Sequence, residues 1–183
     1  MPRRHPEPRH VGVGRRISLR RVLADGGQGD LVGFVVAVDG SGVTLRDRRG
    51  VEDLVAWPDV LALRPVGVAR GRDPLRTPLD ELDRLAASAG VSGRVFVARL
   101  SDLLDAQPPP TLGDWDDPPP CPAFLAGEWV TTGHGEHLLA LAWWAAHHDA
   151  RSIQVRTGDP AAVAALQRSG FHELPAQQTS GQT

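Results

Sequence analysis

The sequence predicts an α+β chain in two parts, a small β-barrel followed by a reduced α/β layer. Three observations predict it. Between residues 11 and 66, short apolar or alternating runs of strand length are separated by glycine turns, with one late helical turn. Between residues 75 and 175 the order helix, strand, helix occurs twice. Charge divides the chain near the same place: residues 1–76 carry 14 Arg against 9 acids, and residues 77–183 carry 6 Arg against 13 acids. A basic front and an acidic rear fit two units, and a basic module admits nucleic acid as a partner.

Residues 1–10 hold three prolines and four charges with nothing to bury, which predicts disorder. Ile17-Ser18-Leu19 then alternates as a strand, and Gly26 to Asp30 reads as a flexible turn. Leu31 to Val38 is a long apolar strand. Asp39-Gly40-Ser41-Gly42 is a hairpin signal, and Val43 to Arg46 alternates again. Arg49-Gly50 turns the chain into Val51–Ala56, Trp57 to Val60 reads as one helical turn, and Leu61–Arg64 closes the series. Trp57 is either core of the barrel or part of a groove for an extended peptide.

These pieces, in the order "VGRRISLRRVL … DLVGFVVAVDGSGVTLRDRRGVEDLVAWPDVLALRPV", resemble an SH3-like module at the front of a bacterial subfamily of GNAT N-acetyltransferases. The resemblance covers nearly all of residues 11–66. It implies a relative and no particular ligand.

Residues 67–76 alternate Gly and Arg and read as a linker. Thr77-Pro78-Leu79-Asp80 opens a helix with an N-cap, a first-position proline and early acids; Leu79, Leu82, Leu85 and Ala86 share a face, and Gly90 stops it. Arg94 to Leu100 is a strand, and Ser101-Asp102 caps a short helix, Leu103 to Ala106. The proline-rich stretch 107–122, "QPPPTLGDWDDPPPCP", reads as a stiff surface excursion with Trp115 set between acids. Phe124 to Val130 fits one strand running into Gly133-His134-Gly135. A helix from Glu136 to His148 follows, then a strand Arg151–Arg156 with Ile153 and Val155 inward. A helix opened by Asp159-Pro160 ends at Gly170-Phe171, and residues 176–183 form a polar tail. Glycines ahead of a helix leave its first N–H groups free, which suits a phosphate-bearing ligand.

The run "GHGEHLLALAWWAAHHDARSIQVRTGDPAAVAALQRSGFHEL" resembles the acetyl-CoA-binding half of a GNAT N-acetyltransferase. The resemblance implies a reduced GNAT-like α/β domain over residues 75–175. It implies acyl transfer from acetyl-CoA, as co-substrate, to a small-molecule or protein amine. The implied cofactor-binding residues are Thr132, Gly133, His134, Gly135, Glu136, His137 and Asp159. Glu128 and Glu136 are candidate bases by their nearness to the glycine turn. The sequence also departs from the family's pattern. Thr131-Thr132 stands where an Arg or Gln precedes the glycines, His137 where a small residue closes the loop, and Asp159 where a helix begins with Asn. Leu166 matches the tyrosine that protonates the departing thiolate, and the chain has no tyrosine at all. After Phe171 the family's closing β-hairpin has no counterpart.

His134, His137, His147 and His148 lack zinc-motif spacing, so no metal is expected, and His147 and His148 suit the end of a helix. Cys121 has no basic neighbour to activate it, and a single cysteine excludes an internal disulfide. Met1 to His10 lacks the apolar core of a signal peptide, and the longest apolar run, Leu138–Ala146, is too short to span a bilayer. With 41% hydrophobic and 23% charged residues, these features predict a soluble cytoplasmic protein without a membrane partner. Two readings of function follow. One is an acetyl-CoA-dependent N-acetyltransferase with a weakened site. The other is a catalytically inert GNAT-derived protein whose basic front part binds nucleic acid or a protein.

Overall fold

Two five-stranded sheets and four helices make the chain α+β, as read from a computed structural model that describes residues 11–105 and 118–175. The expectations for residues 1–10, for Ala106 at the end of the short helix, for 107–117 of the proline-rich stretch with Trp115, and for 176–183 lie outside the described residues. Contacts divide the chain into two units, the first described over residues 11–67 and the second over 68–105 and 118–175. Among the described residues no helix is long and apolar enough to cross a membrane.

The first unit contains β1 (Arg16–Val22), β2 (Gln28–Val38), β3 (Gly42–Arg46), β4 (Glu52–Ala56), a 3-10 turn (Trp57–Asp59) and β5 (Val60–Pro65). They form an antiparallel sheet in the order β4-β3-β2-β1-β5. Alternation sends Ile17, Leu19, Val35, Val43, Leu45 and Val55 to one face, where Val60 joins them in a single core. That core includes residues from β4 and β5, the two edges, so the sheet curls around it. An irregularity between Val35 and Ala37 bends β2 between its two neighbours. The Arg21–Asp53 ion pair, 2.6 Å, then ties β1 to β4, which are not hydrogen-bonded neighbours. At the β2–β3 hairpin the Asp39 carboxylate accepts from Ser41 Oγ and from the Ser41 and Gly42 amides, and these bonds hold its pKa below the usual range. Trp57 packs against the core and donates its indole N–H to the Asp39 carbonyl at 2.8 Å, so its structural role is to fasten the hairpin.

The second unit contains α1 (Leu79–Ala89), β6 (Arg94–Arg99), α2 (Leu100–Leu104), β7 (Phe124–Ala126), β8 (Trp129–Thr132), α3 (Leu138–His147), β9 (Ser152–Thr157), α4 (Pro160–Arg168) and β10 (His172–Leu174). Its sheet runs β10-β6-β9-β8-β7, and β8 with β9 is parallel while the other pairings are antiparallel. On one face Val95, Val97 and Trp129 pack under Leu82 of α1, with Leu79, Leu85 and Leu174 at the margin. The opposite face carries Phe96, Val130, Ile153 and Val155, all buried. The connection between parallel β8 and β9 is α3, which buries Leu141, Ala142 and Ala145.

Several elements differ from the sequence expectations. Residues 68–76, read as a linker, belong to the second unit: a 3-10 turn (Pro74–Arg76) is capped by Asp73, whose carboxylate lies 3.4 Å from Arg99, and Gly71 lies against Arg151. The single strand expected over Phe124–Val130 is a hairpin. Gly127 takes a positive φ of 56° at its turn, a conformation that costs a β-carbon-bearing residue and that marks a two-residue reversal. The helix α2 begins at Leu100, so Ser101 is inside it and buried rather than its cap. The helix expected from Glu136 begins at Leu138, because His137 adopts a left-handed φ of 57° and cannot continue it. Finally, His172–Leu174 pairs with β6 as an edge strand.

Candidate functional site at the β8–α3 turn

The parallel strands β8 and β9 are in register from Trp129 with Ser152 to Thr132 with Val155. Beyond Thr132 the chain leaves the sheet while β9 runs on to Thr157, and residues 133–137 carry it to α3. This end of the sheet holds most of the sequence-predicted site.

Thr132 is fully buried, and its hydroxyl is committed on both sides. It donates to the Pro122 carbonyl at 2.8 Å and accepts from the His134 amide at 3.1 Å. It therefore fastens the turn and offers nothing to a ligand. The two glycines allow close packing. A β-carbon at Gly133 would lie 3.1 Å from Val91 Cγ1, and one at Gly135 would lie 2.9 Å from Ala162 Cβ on α4. The inner side of the turn is thus filled by the protein's own α4. His134 and Glu136 point outward, with Nδ1 and Oε1 3.9 Å apart, and Glu136 is 73% exposed. His137 is exposed and makes no side-chain cap for α3.

Asp159 is the N-cap of α4 and accepts from the Ala161 and Ala162 amides at 3.2 and 3.1 Å. Its own amide donates to Thr157 Oγ1 at 3.1 Å. Two of the first-turn amides of α4 are thus satisfied by the chain's own N-cap carboxylate. Leu166, in the same helix, is 0% exposed and belongs to the core.

Glu128 is not beside the glycine turn. It sits in the β7–β8 hairpin, at the opposite end of β8 from Glu136, a separation of roughly 13 Å along a four-residue strand. There its carboxylate lies 3.2 Å from Arg151 and 4.0 Å from Arg72, and its carbonyl accepts from the Arg151 and Ser152 amides. An ion-paired carboxylate at the wrong end of the strand is a poor base for chemistry at the turn. The sequence placed Glu128 near the turn by closeness along the chain, but the four extended residues of β8 lie between them.

Cys121 is buried, 4.0 Å from Thr132 Oγ1, and burial pushes its thiol pKa up, so it stays protonated and unreactive. Trp144 and His148 stack with ring centroids 4.4 Å apart, and His148 Nδ1 lies 2.8 Å from the Trp144 carbonyl. Among the described residues no three His, Cys, Asp or Glu side chains group as a metal site.

Sequence reasoning missed a buried polar row. Thr131, Gln154 and Arg156 stand on the face of the sheet that α1 covers, and all are buried. Thr131 Oγ1 donates to Gln154 Oε1 at 3.3 Å, Gln154 Nε2 donates to the Leu82 carbonyl at 3.1 Å, and Arg156 Nη2 meets Asp83 at 2.7 Å. The alternation of Arg151–Arg156 suggested a polar outer face. The signal that could have revealed burial is the amphipathic helix at Leu79–Ala89, which needs a sheet face to cover. Each side chain has a partner in α1 or in the neighbouring strand, so the row aligns the helix with the strands.

A scan of protein-family models, a search of curated proteins and a search of solved structures each return no match.

Proposed function

We propose that the second unit is a GNAT-derived domain without efficient acetyl transfer, and that the chain works by binding, its arginine-rich first unit contacting a protein partner. The observation that carries this reading is the turn ahead of α3, where a phosphate-bearing ligand is expected: a β-carbon at Gly135 would lie 2.9 Å from Ala162 Cβ, and the Thr132 hydroxyl is spent on Pro122 and His134. Other features agree. The parallel β8–α3–β9 unit and the α4 that follows supply the order expected of the acetyl-CoA-binding half. The turn between β8 and α3 is closed onto Val91 and Ala162, however, and the side chains around it are an exposed Glu136 and an exposed His137. The residues present do not fit acetyl-CoA.

Amide formation needs a group to take a proton from the attacking ammonium and another to give one to the leaving thiolate. Glu128 is held in an ion pair at the far end of β8, Leu166 is buried hydrocarbon, and Cys121 is sealed behind Thr132. In the first unit Arg20, Arg21 and Arg46 are each paired with an acid of the same sheet, which leaves a mixed-charge surface suited to protein more than to a phosphate backbone. The test is CoA release from acetyl-CoA by the full chain across a panel of primary amines. Release no faster than in buffer is expected; amine-dependent release would overturn the reading.

A further inference from the structure

The two sheets leave four strand edges, and they are not alike. β7 and β10 are three residues each, too short to template another strand. β5 ends at Pro65, which has no N–H, and its pairing with β1 shifts register between Arg20 and Arg21. β4 has five residues and no proline, and among the described residues it pairs with β3 alone. The bonds that bracket this pairing fix which of its backbone groups face outward. The Asp47 amide donates to the Val51 carbonyl, and the Trp57 amide to the Ser41 carbonyl. Bonded and non-bonded pairs alternate along an antiparallel ladder. Asp53 and Val55 therefore exchange bonds with β3, while Glu52, Leu54 and Ala56 turn their N–H and C=O groups away from it. On this edge Leu54 is 61% exposed, and Val51, just ahead of the strand, is 58% exposed. Glu52 has an oxygen to spare: Arg46 Nε and Nη2 both donate to Oε1, at 3.0 and 2.7 Å, and Oε2 takes neither bond.

We propose that the free edge of β4 receives an extended segment of a partner protein as an added antiparallel strand, with an apolar residue opposite Leu54 and an arginine or lysine two residues later, opposite Glu52. This rests on the reading of the first unit as protein-binding, and it names the surface and the kind of segment. The outward N–H and C=O groups of Glu52, Leu54 and Ala56 supply the main-chain bonds of such an addition, which selects an extended chain over a helix. Leu54 and the residue opposite exchange both bonds, so their side chains stand together on the outward face. The partner residue two positions on meets Glu52. A cation there reaches the Oε2 that Arg46 leaves and continues the row of Arg46 and Glu52 with one more opposite charge. An acid there would face the carboxylate, which gives the edge its selectivity. The intervening partner residue falls beside Asp53, already paired with Arg21 at 2.6 Å, and is left unspecified.

The test uses the full chain and two capped peptides that alternate threonine with valine and differ only in carrying arginine or glutamate two residues after the central valine. Affinity and amide exchange are read by NMR. The arginine peptide is expected to bind roughly tenfold tighter than the glutamate peptide, and to slow exchange at Glu52, Leu54 and Ala56 while Asp53 and Val55 stay as protected as before. Leu54→Pro removes an outward N–H that β3 does not use, so the fold should persist and the arginine peptide should bind roughly tenfold more weakly. If the proline variant fails to fold, Glu52→Arg serves, and it should turn the preference to the glutamate peptide. No binding, equal affinity of the two peptides, protection arising at other amides, or an unchanged preference in Glu52→Arg would overturn the proposal. So would edge amides that slow with protein concentration alone, the mark of a second copy in the partner's place. CoA release bears on the inert reading and peptide binding on this edge, so the two failures are distinct.

Discussion

Leu166 and Thr132 show how side chains that a site would need can be absorbed by the fold. Leu166 is wholly buried in α4, at the position where the family resemblance puts a tyrosine acid. Leu166→Ala should lower stability by about 2–5 kcal/mol through lost burial and a residual cavity, measured as the shift of a urea midpoint. A midpoint within error of wild type would mean that the side chain is not core. The buried Thr132 hydroxyl joins the Pro122 carbonyl to the His134 amide through two part-buried bonds. Thr132→Val keeps the shape and removes both bonds, and should cost about 1–3 kcal/mol as the net value of two hydrogen bonds. A neutral outcome in the same denaturation assay would contradict the structural role. The glycines beside it were legible as a turn, while their purpose was not: closeness to Val91 and Ala162 is a tertiary fact with no local signature.

At the scale of elements, the edge strand β10 depends on charge. Arg94 donates from Nε and Nη2 to the two oxygens of Glu173, joining β6 to β10, and these hydrogen bonds hold the Glu173 carboxyl below its ordinary value of 4.5. A lowered folded pKa means that the stabilisation is fully present above pH 4.5 and is lost as pH falls through the lowered value. Amide protection in His172–Leu174, corrected for intrinsic exchange, should therefore fall on acidification below that value. Glu173→Gln should show the weaker protection already at neutral pH, with little further acid dependence; an unchanged profile in that variant would rule the pair out as the cause. The elements that the sequence disclosed best are those with a strong local period or turn. The first sheet was traced strand by strand because Asp39 to Gly42 and Arg49-Gly50 mark its turns. Gly127-Glu128 lacks a common two-residue turn pair, so the hairpin β7–β8 was read as one strand. The three residues of β10 are too few to show a period.

Over the whole molecule, the division of the chain into a basic β unit and an acidic α/β unit was visible in charge and pattern, and the structure puts the boundary at Gly67 and Val68. What the pattern did not disclose is the state of the site, because that depends on which atoms are already bonded. An N-cap carboxylate at Asp159, a filled turn at Gly135 and an ion pair at Glu128 are each tertiary facts of that kind. Three of the first unit's arginines, Arg20, Arg21 and Arg46, are paired with its own acids, so the chain should bind mixed-sequence DNA or RNA weakly or not at all at 150 mM salt, roughly physiological. Tight binding that falls steeply with added salt would redirect the account to nucleic acid. The most direct test of the central claim is a calorimetric titration of the full chain with acetyl-CoA. The account predicts no saturable heat up to about 1 mM ligand, near the weak limit of specific binding. Saturable binding in the micromolar range, abolished by Gly135→Val, would contradict it.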